Sequence, residues 1–254
     1  MLHCLSINVN SLRGKQKYNT FFSNTQPDIL LLQETKWDLD TIKNISQLWR
    51  GKIIAENGTQ KACGVAIMFK EGKVDDINVV YKNGNGRIVI VDCAYNGEKL
   101  RLINLYASNC ETERKEMFAK IGKWCNEYTI IVGDFNVALT KEDVSKNNVM
   151  KNDVSREQLF KLMKICNLTD VWRLGHKSKK QFSRKQVVKG TLKQTRIDLC
   201  LTAMKWTTKI RKIDYIENAW SDHAGLSFLL ESNVKMRNGG TWCFNTSLVE
   251  DNVF

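Results

Sequence analysis

The sequence predicts an α/β fold in one large domain, with two packed β-sheets and helices outside them. Three observations lead there. Short β-branched runs alternate with helical patterns over most of the length. "NGNG" (83–86) and "YNGEK" (95–99) are turn sequences between apolar runs, which makes much of the sheet antiparallel. A chain of 254 residues, 43% of them apolar, is also long enough to enclose a sizeable core.

Strands are expected over residues 2–9, 29–32, 53–55, 64–69, 88–94, 100–106, 129–132, 197–201 and 225–230, where short apolar runs are bounded by turn formers. Helical spacing marks 15–23, 112–126 and 156–167. In the last, Leu159, Leu162, Met163 and Cys166 share a face, and Ser155 with Gln158 three residues on reads as a capping box before it. "VVKGTLKQ" (187–194) reads as the tip of a basic hairpin, within a candidate hairpin over 183–195. There are no repeats and one proline. From Glu231 onward the pattern fades, and "NGG" (238–240) reads as a linker to a loosely attached tail.

No stretch approaches the roughly 20 apolar residues of a membrane span. "MLHCLSINVN" lacks the basic start and long apolar run of a signal peptide. An intracellular protein without a membrane partner is therefore expected. The eight cysteines stand singly, with no CxxC pair; Cys4, Cys63, Cys93 and Cys200 lie in strand-like runs and read as reduced, buried hydrophobes. The net charge of +12 is localised: residues 171–212 hold thirteen Lys/Arg against a single acid, Asp198, and the remainder is neutral. That excess, interleaved with Phe182 and Trp206, favours a polyanion over a merely solvated face. It supplies phosphate affinity rather than sequence choice.

Polar groups gather where the strands end. Residues two apart share a face of a strand, so in "VGDFN" Asp134 and Asn136 point together while Phe135 turns to the core. In "LSINVN", Ser6, Asn8 and Asn10 oppose Leu5, Ile7 and Val9. "ILLLQET" runs into Gln33 and Glu34. "LINLYASN" sets Asn104 and Tyr106 on one face, with Asn109 just beyond. "TRIDLCL" sets Arg196 and Asp198 against Ile197 and Leu199, and "AWSDHAGLSFLL" places Ser221, Asp222 and His223 before a strand. A single strand-end Asp is more often a turn former; six such ends together point to a site. His176 reads as a surface residue and His3 as structural.

In this order, "NVNSLR", "LLQET", "NLYASN", "VGDFN", "RIDLCL" and "WSDHA" resemble the blocks of the exonuclease III-like endonuclease/exonuclease/phosphatase superfamily, across residues 2–231. The chain looks most like the apurinic-endonuclease-like domain of LINE-type (non-LTR) retrotransposon proteins. "GGTWCFNTSLVEDNVF" is similar to the segment that joins such a domain to a reverse transcriptase. The resemblance implies a four-layer α/β sandwich, two mixed sheets flanked by helices. It implies an endonuclease domain over 1–231, a linker over 232–254 leading toward a reverse transcriptase region, and a nuclear location.

The resemblance also assigns roles. Glu34 and Asn8 fall where the family holds its metal. Asp134, with Asn136, falls where the attacking water is activated or oriented. His223 matches the phosphate-binding histidine, and Asp198 its orienting carboxylate. Tyr106 and Asn109 match groups that contact the phosphate, and Asp222 the acid beside the metal or leaving oxygen. Arg173, Arg184, Lys185, Lys189, Lys193, Arg196 and Ser221 are expected to contact double-stranded DNA. Ser11, Ala107–Ser108, Gln181 and Thr195 depart from the family's usual residues and bear on loop shape and target choice.

Oxygen donors without thiolates suit a hard cation, Mg²⁺ with Mn²⁺ as a substitute. The expected activity is Mg²⁺-dependent nicking of one DNA strand, leaving a 3′-hydroxyl that primes reverse transcription. The competing readings are an abasic-site repair endonuclease, a phosphatase of phosphoinositides or sphingolipids, and a non-catalytic nucleic-acid-binding module.

Overall fold

The computed structural model describes residues 1–58 and 62–232. Its first half builds β1 (Leu2–Asn8), α1 (Lys15–Asn24), β2 (Ile29–Gln33), α2 (Leu39–Leu48), β3 (Gly51–Glu56) and β4 (Val65–Lys70). Next come β5 (Asp75–Lys82), β6 (Ile88–Tyr95), β7 (Glu98–Tyr106), α3 (Glu111–Ile121), β8 (Thr129–Asp134) and α4 (Val154–Ile165). The remainder is β9 (Leu168–Asp170), α5 (Val171–Gly175), β10 (Arg184–Val188), β11 (Thr191–Thr195), β12 (Asp198–Ala203), α6 (Met204–Thr207), β13 (Ile210–Ile216) and β14 (Gly225–Leu230).

Two six-stranded sheets result, with orders β13-β14-β1-β2-β4-β3 and β5-β6-β7-β8-β12-β9. Within each, one central pair is parallel, β1 with β2 across α1 and β7 with β8 across α3. All other pairs are antiparallel. Parallel pairing sets the carboxyl ends of adjacent strands side by side. That is why Asn8 lies opposite Gln33, and Tyr106 opposite Asp134.

Three apolar layers hold the stack together. Cys4, Leu31, Ile67, Val91, Leu102, Val132, Cys200 and Phe228 fill the space between the sheets. Ile7, Leu30, Leu32 and Met68 face outward onto Phe21 and Phe22 of α1 and Ile45 of α2. Ile103, Ile131 and Leu199 face outward onto Phe118 of α3 and Leu159 and Leu162 of α4. The molecule is thus a four-layer α/β sandwich. Strands buried on both faces need no alternation, which explains the unbroken "ILLLQ" of β2.

The nine expected strands occur with ends shifted by at most two residues. Both expected turns join antiparallel neighbours, β5 to β6 and β6 to β7. Strands β5, β9 and β13 and helix α2 were not expected. β5 is an edge strand with a largely exposed pattern and two register irregularities, so no apolar period marks it. The helix expected over 112–126 ends at Ile121 and tightens into a short 3-10 turn, Gly122–Trp124. The expected Ser155–Gln158 capping box is corrected: Asp153 is the N-cap, its carboxylate accepting from the Ser155 N–H, while Ser155 is buried in the first turn. Trp206 is corrected as well, since it is fully buried and donates Nε1–H to the Tyr128 carbonyl. Among the described residues Cys4, Cys93 and Cys200 are free and buried, whereas Cys63, expected to be buried with them, is free but only half-buried in the turn before β4, and no helix is long and apolar enough to cross a membrane. The "NGG" linker and the tail from 233 lie outside the described residues.

Candidate active site

β1 and β8, one from each sheet, end alike. In "NVN" the Asn10 N–H donates to Asn8 Oδ1 at 3.0 Å, and in "DFN" the Asn136 N–H donates to Asp134 Oδ1 at 2.9 Å. Each turn needs a left-handed residue after the strand, with φ of 41° at Asn10 and 51° at Asn136, which asparagine tolerates. Gly133 (φ +142°) lets β8 close on β7, because a Cβ there would lie 2.0 Å from the Leu105 carbonyl oxygen. Glu34 itself has φ 52°, and this strained turn aims its carboxylate across the sheet ends.

The two ends meet through one amide. Asn8 Nδ2 donates to Glu34 Oε1 at 2.9 Å and to Asp134 Oδ2 at 3.0 Å. Across from it, His223 Nδ1 lies 2.9 Å from Asp198 Oδ2, and His223 Nε2 lies 3.9 Å from Asp134 Oδ2. Asp198 pairs in register with Asp134 at the mouth of β12 and β8. All three are nearly sealed, at 1% exposure for Asp134, 2% for Asp198 and 4% for His223. Burial, then the neighbouring Asp198, pushes the Asp134 carboxyl up to about 7. Burial alone would lower His223, but the charge and hydrogen bond of Asp198 and the charge of Asp134 outweigh it and hold the imidazole at about 9. Tyr106 stands beside this group, 7% exposed, its hydroxyl raised by burial and by Glu34, with Arg87 5.2 Å over its ring.

The other expected residues fall around this centre. Asn136 donates Nδ2–H to the Ala107 carbonyl at 2.8 Å, tying its loop to the segment before Asn109, which is exposed. Asp222 faces Asn10 Nδ2 and Arg184 Nε, both at 3.4 Å. Ser221 is engaged internally, its hydroxyl donating to the Asn8 carbonyl at 2.7 Å and accepting the His223 N–H at 3.1 Å. β10 and β11 form the expected hairpin, with Lys189 and Gly190 both at positive φ in its two-residue turn. Arg184 roots the hairpin through a bridge to His223. Lys185 and Lys189 are exposed, and Lys185 pairs with Glu217 at 2.7 Å. Lys193, half-buried, lies opposite Gln186.

Two expected DNA contacts are corrected. Arg196 is fully buried, with Nε 2.6 Å from Asp143 and Nη2 2.6 Å from Asp170, so its guanidinium is consumed inside the protein. Arg173 is bound to Asp143 and to the carbonyls of His176 and Lys179, and it covers Trp172. Both arginines brace the loops under the hairpin. His176 also differs from the surface reading: it is half-buried, stacked on Trp172 at 4.5 Å.

The donor set is one of oxygens. Among the described residues, Asp134, Asp198 and His223 offer ligand atoms within 4.8 Å of one another. An imidazolium has no free lone pair, however, and the carboxylates keep His223 protonated. Those three therefore compensate each other, and the remaining carboxylate beside them is Glu34, whose Oε2 pairs with Lys36 Nζ at 3.5 Å. The Glu34 carboxylate oxygens are of the kind that suits a hard divalent ion, and Asn8, which turns its Nδ2 toward Glu34, would offer its Oδ1 only after its amide rotates.

A four-layer sandwich with carboxylates, amides and a His–Asp pair at the sheet ends defines a class of phosphoester hydrolases, and the comparisons agree. The chain belongs to the Endonuclease/Exonuclease/phosphatase family, whose sequence model matches residues 5–174. It is 26% identical over 237 residues to the Transposon TX1 uncharacterized 149 kDa protein of Xenopus laevis, a match that covers 91% of this chain and 17% of that protein. The chain therefore spans less than a fifth of that relative. Its fold is similar to AP endonuclease LMAP from Leishmania major (TM-score 0.76, 17% identity, 91% of this chain and 88% of that one). It is also similar to the endonuclease domain of TRAS1, a telomere-specific non-LTR retrotransposon (TM-score 0.67, 16% identity, 92% and 100%).

Proposed function

We propose that the chain is a Mg²⁺-dependent DNA endonuclease that nicks one strand and leaves a 3′-hydroxyl to prime reverse transcription of a retrotransposon. One observation carries this reading: Asn8, Glu34, Asp134, Asp198 and His223, from five separate chain segments, converge where the ends of the two sheets adjoin, beside the root of the basic hairpin. The transposon relative supports the biological setting. On this reading residues 1–231 are the endonuclease domain, residues 232–254 lead toward a reverse transcriptase region, and the protein works in the nucleus.

Glu34 and Asn8 would hold Mg²⁺, which when bound supplies charge neutralisation at the phosphate and acidifies a water. Asp134, made basic by burial, takes the proton of the attacking water, and Asn136 orients that water. His223 donates from Nε2 to a phosphate oxygen, and Asp198 holds its Nδ1–H and its charge. Tyr106 and Asn109 contact the remaining phosphate oxygens, and Asp222 faces the departing oxygen. Arg184, Lys185, Lys189 and Lys193 line the duplex, with Ser221 fixing the loop between them and the site. The test is nicking of supercoiled plasmid. Asp134→Ala and His223→Ala are each expected to lower kcat by at least about 100-fold with the fold intact; full activity in either removes that residue's role.

A second reading, abasic-site repair, is favoured by the fold likeness to LMAP. Cleavage of abasic against intact duplex separates the two, a large abasic preference supporting repair.

A further inference from the structure

We propose that Ser183 and Tyr215 are positioning residues for phosphodiester cleavage, clamping the two ends of Asp198's backbone so that the Asp198–His223 pair stays aligned with Asp134. The proposal rests on the nuclease reading above and extends it to residues that no strand-end motif marks.

Asp198 needs such a brace. Its Oδ2 meets His223 at 2.9 Å, but its Oδ1, although buried, has no hydrogen-bond partner among the described residues. A carboxylate tied by one oxygen can swing about that bond, so its aim has to come from the backbone. The backbone is held at both ends. The Asp198 N–H donates to Ser183 Oγ at 3.0 Å, and the Asp198 carbonyl accepts the Tyr215 hydroxyl at 2.6 Å.

Ser183 holds the other partner too. Its Oγ also accepts the Ile197 N–H at 2.9 Å, and its carbonyl accepts the N–H of Ala224, next to His223, at 2.6 Å. One serine, 1% exposed, therefore ties the loop of the imidazole to the strand of the carboxylate. Tyr215 is braced from behind by Arg196, whose Nη1 lies 3.5 Å from its hydroxyl. Arg196 is in turn anchored by Asp143 and Asp170 and lies over the Trp172 ring at 5.1 Å. The arginine that sequence alone reads as a DNA contact thus ends a chain of contacts that leads to His223. Misplacing a reacting group by about 1 Å costs on the order of 100-fold in rate.

The experiment compares wild type, Tyr215→Phe and Ser183→Ala by plasmid-nicking kinetics, thermal melting and ¹H–¹⁵N spectra of ¹⁵N-histidine protein. The Nδ1 proton of His223 is assigned by its loss in His223→Gln. Both variants are expected to lose about tenfold in kcat with KM within about twofold, and the Nδ1 proton signal should broaden or move upfield. Should Ser183→Ala fail to fold, Tyr215→Phe, which keeps the ring, decides. Wild-type kcat with an unmoved signal, or a loss confined to KM, overturns the proposal. If wild type cleaves no DNA, the nuclease reading fails separately. The histidine signal still decides the clamp, movement supporting it and an unmoved signal overturning it.

Discussion

At His223 two effects oppose each other: burial favours the neutral ring, and the carboxylates of Asp198 and Asp134 favour the imidazolium. The carboxylates win, holding the ring at about 9 against an ordinary 6.5. A group whose folded pKa is raised contributes stability in full below its unfolded value and loses it as pH climbs through the folded one. The metal-free protein should therefore lose thermal stability between pH 6.5 and about 9. His223→Ala should flatten that slope, which melting across the pH range measures. At Asp143 burial pushes up, but Arg196 and Arg173 overcome it and hold the carboxyl below the ordinary 3.8. Its contribution is present above about 3.8 and is lost as pH falls through the lower folded value. Asp143→Asn should remove that part of the acid melting slope. Residue identity singled out Asp134, Glu34 and His223, which the structure brings together. Arg196 was not legible, because its partner Asp143 lies 53 positions away and charge alone does not tell a surface base from a buried one.

Among the elements, the β10–β11 hairpin is the proposed reader of target DNA, apart from the residues proposed for the chemistry. It projects from the His223 loop with Val187 and Leu192 paired and exposed at 69% and 45%. Replacing 184–194 with a different hairpin should change where random duplex DNA is nicked while Asp134-dependent cleavage persists. An unchanged cleavage map would reject the hairpin as reader. Lys189→Glu with Lys193→Glu should weaken binding at all sequences and lower the salt-dependence slope by about 0.9 for each phosphate no longer neutralised, measured by titration over a salt series. The "VVKGTLKQ" turn chemistry made this hairpin legible. β5 and β13 lacked a clean apolar period: β5 is a bulged edge strand, and β13 breaks register between Arg211 and Asp214. Helix α2 does carry one, at Ile42, Ile45 and Trp49 behind the N-cap Asp38.

On the scale of the whole molecule, the two sheets are fixed against each other by buried amides directly beneath the site. Asn104 of one sheet donates to the Leu32 and Ala66 carbonyls of the other, both at 2.9 Å, and Gln33 donates to Asn104 Oδ1 at 2.7 Å and to Ser6 Oγ at 3.1 Å. A buried acceptor left without its donor costs about 1–3 kcal/mol. Gln33→Leu should lower the unfolding free energy by that order in urea titration. A change near zero would mean that the amides only fill space.

The sequence by itself determined most of the strands and the chemical types at their ends, because period and turn chemistry act between near neighbours. Only the tertiary structure decided that Asn8, Glu34, Asp134, Asp198 and His223 come together, that Trp206 and Arg196 lie inside, and that Ser183 joins the two halves of the His–Asp pair. Those outcomes depend on pairings between segments far apart in the chain, such as β1 with β14 and β8 with β12, which no local pattern encodes.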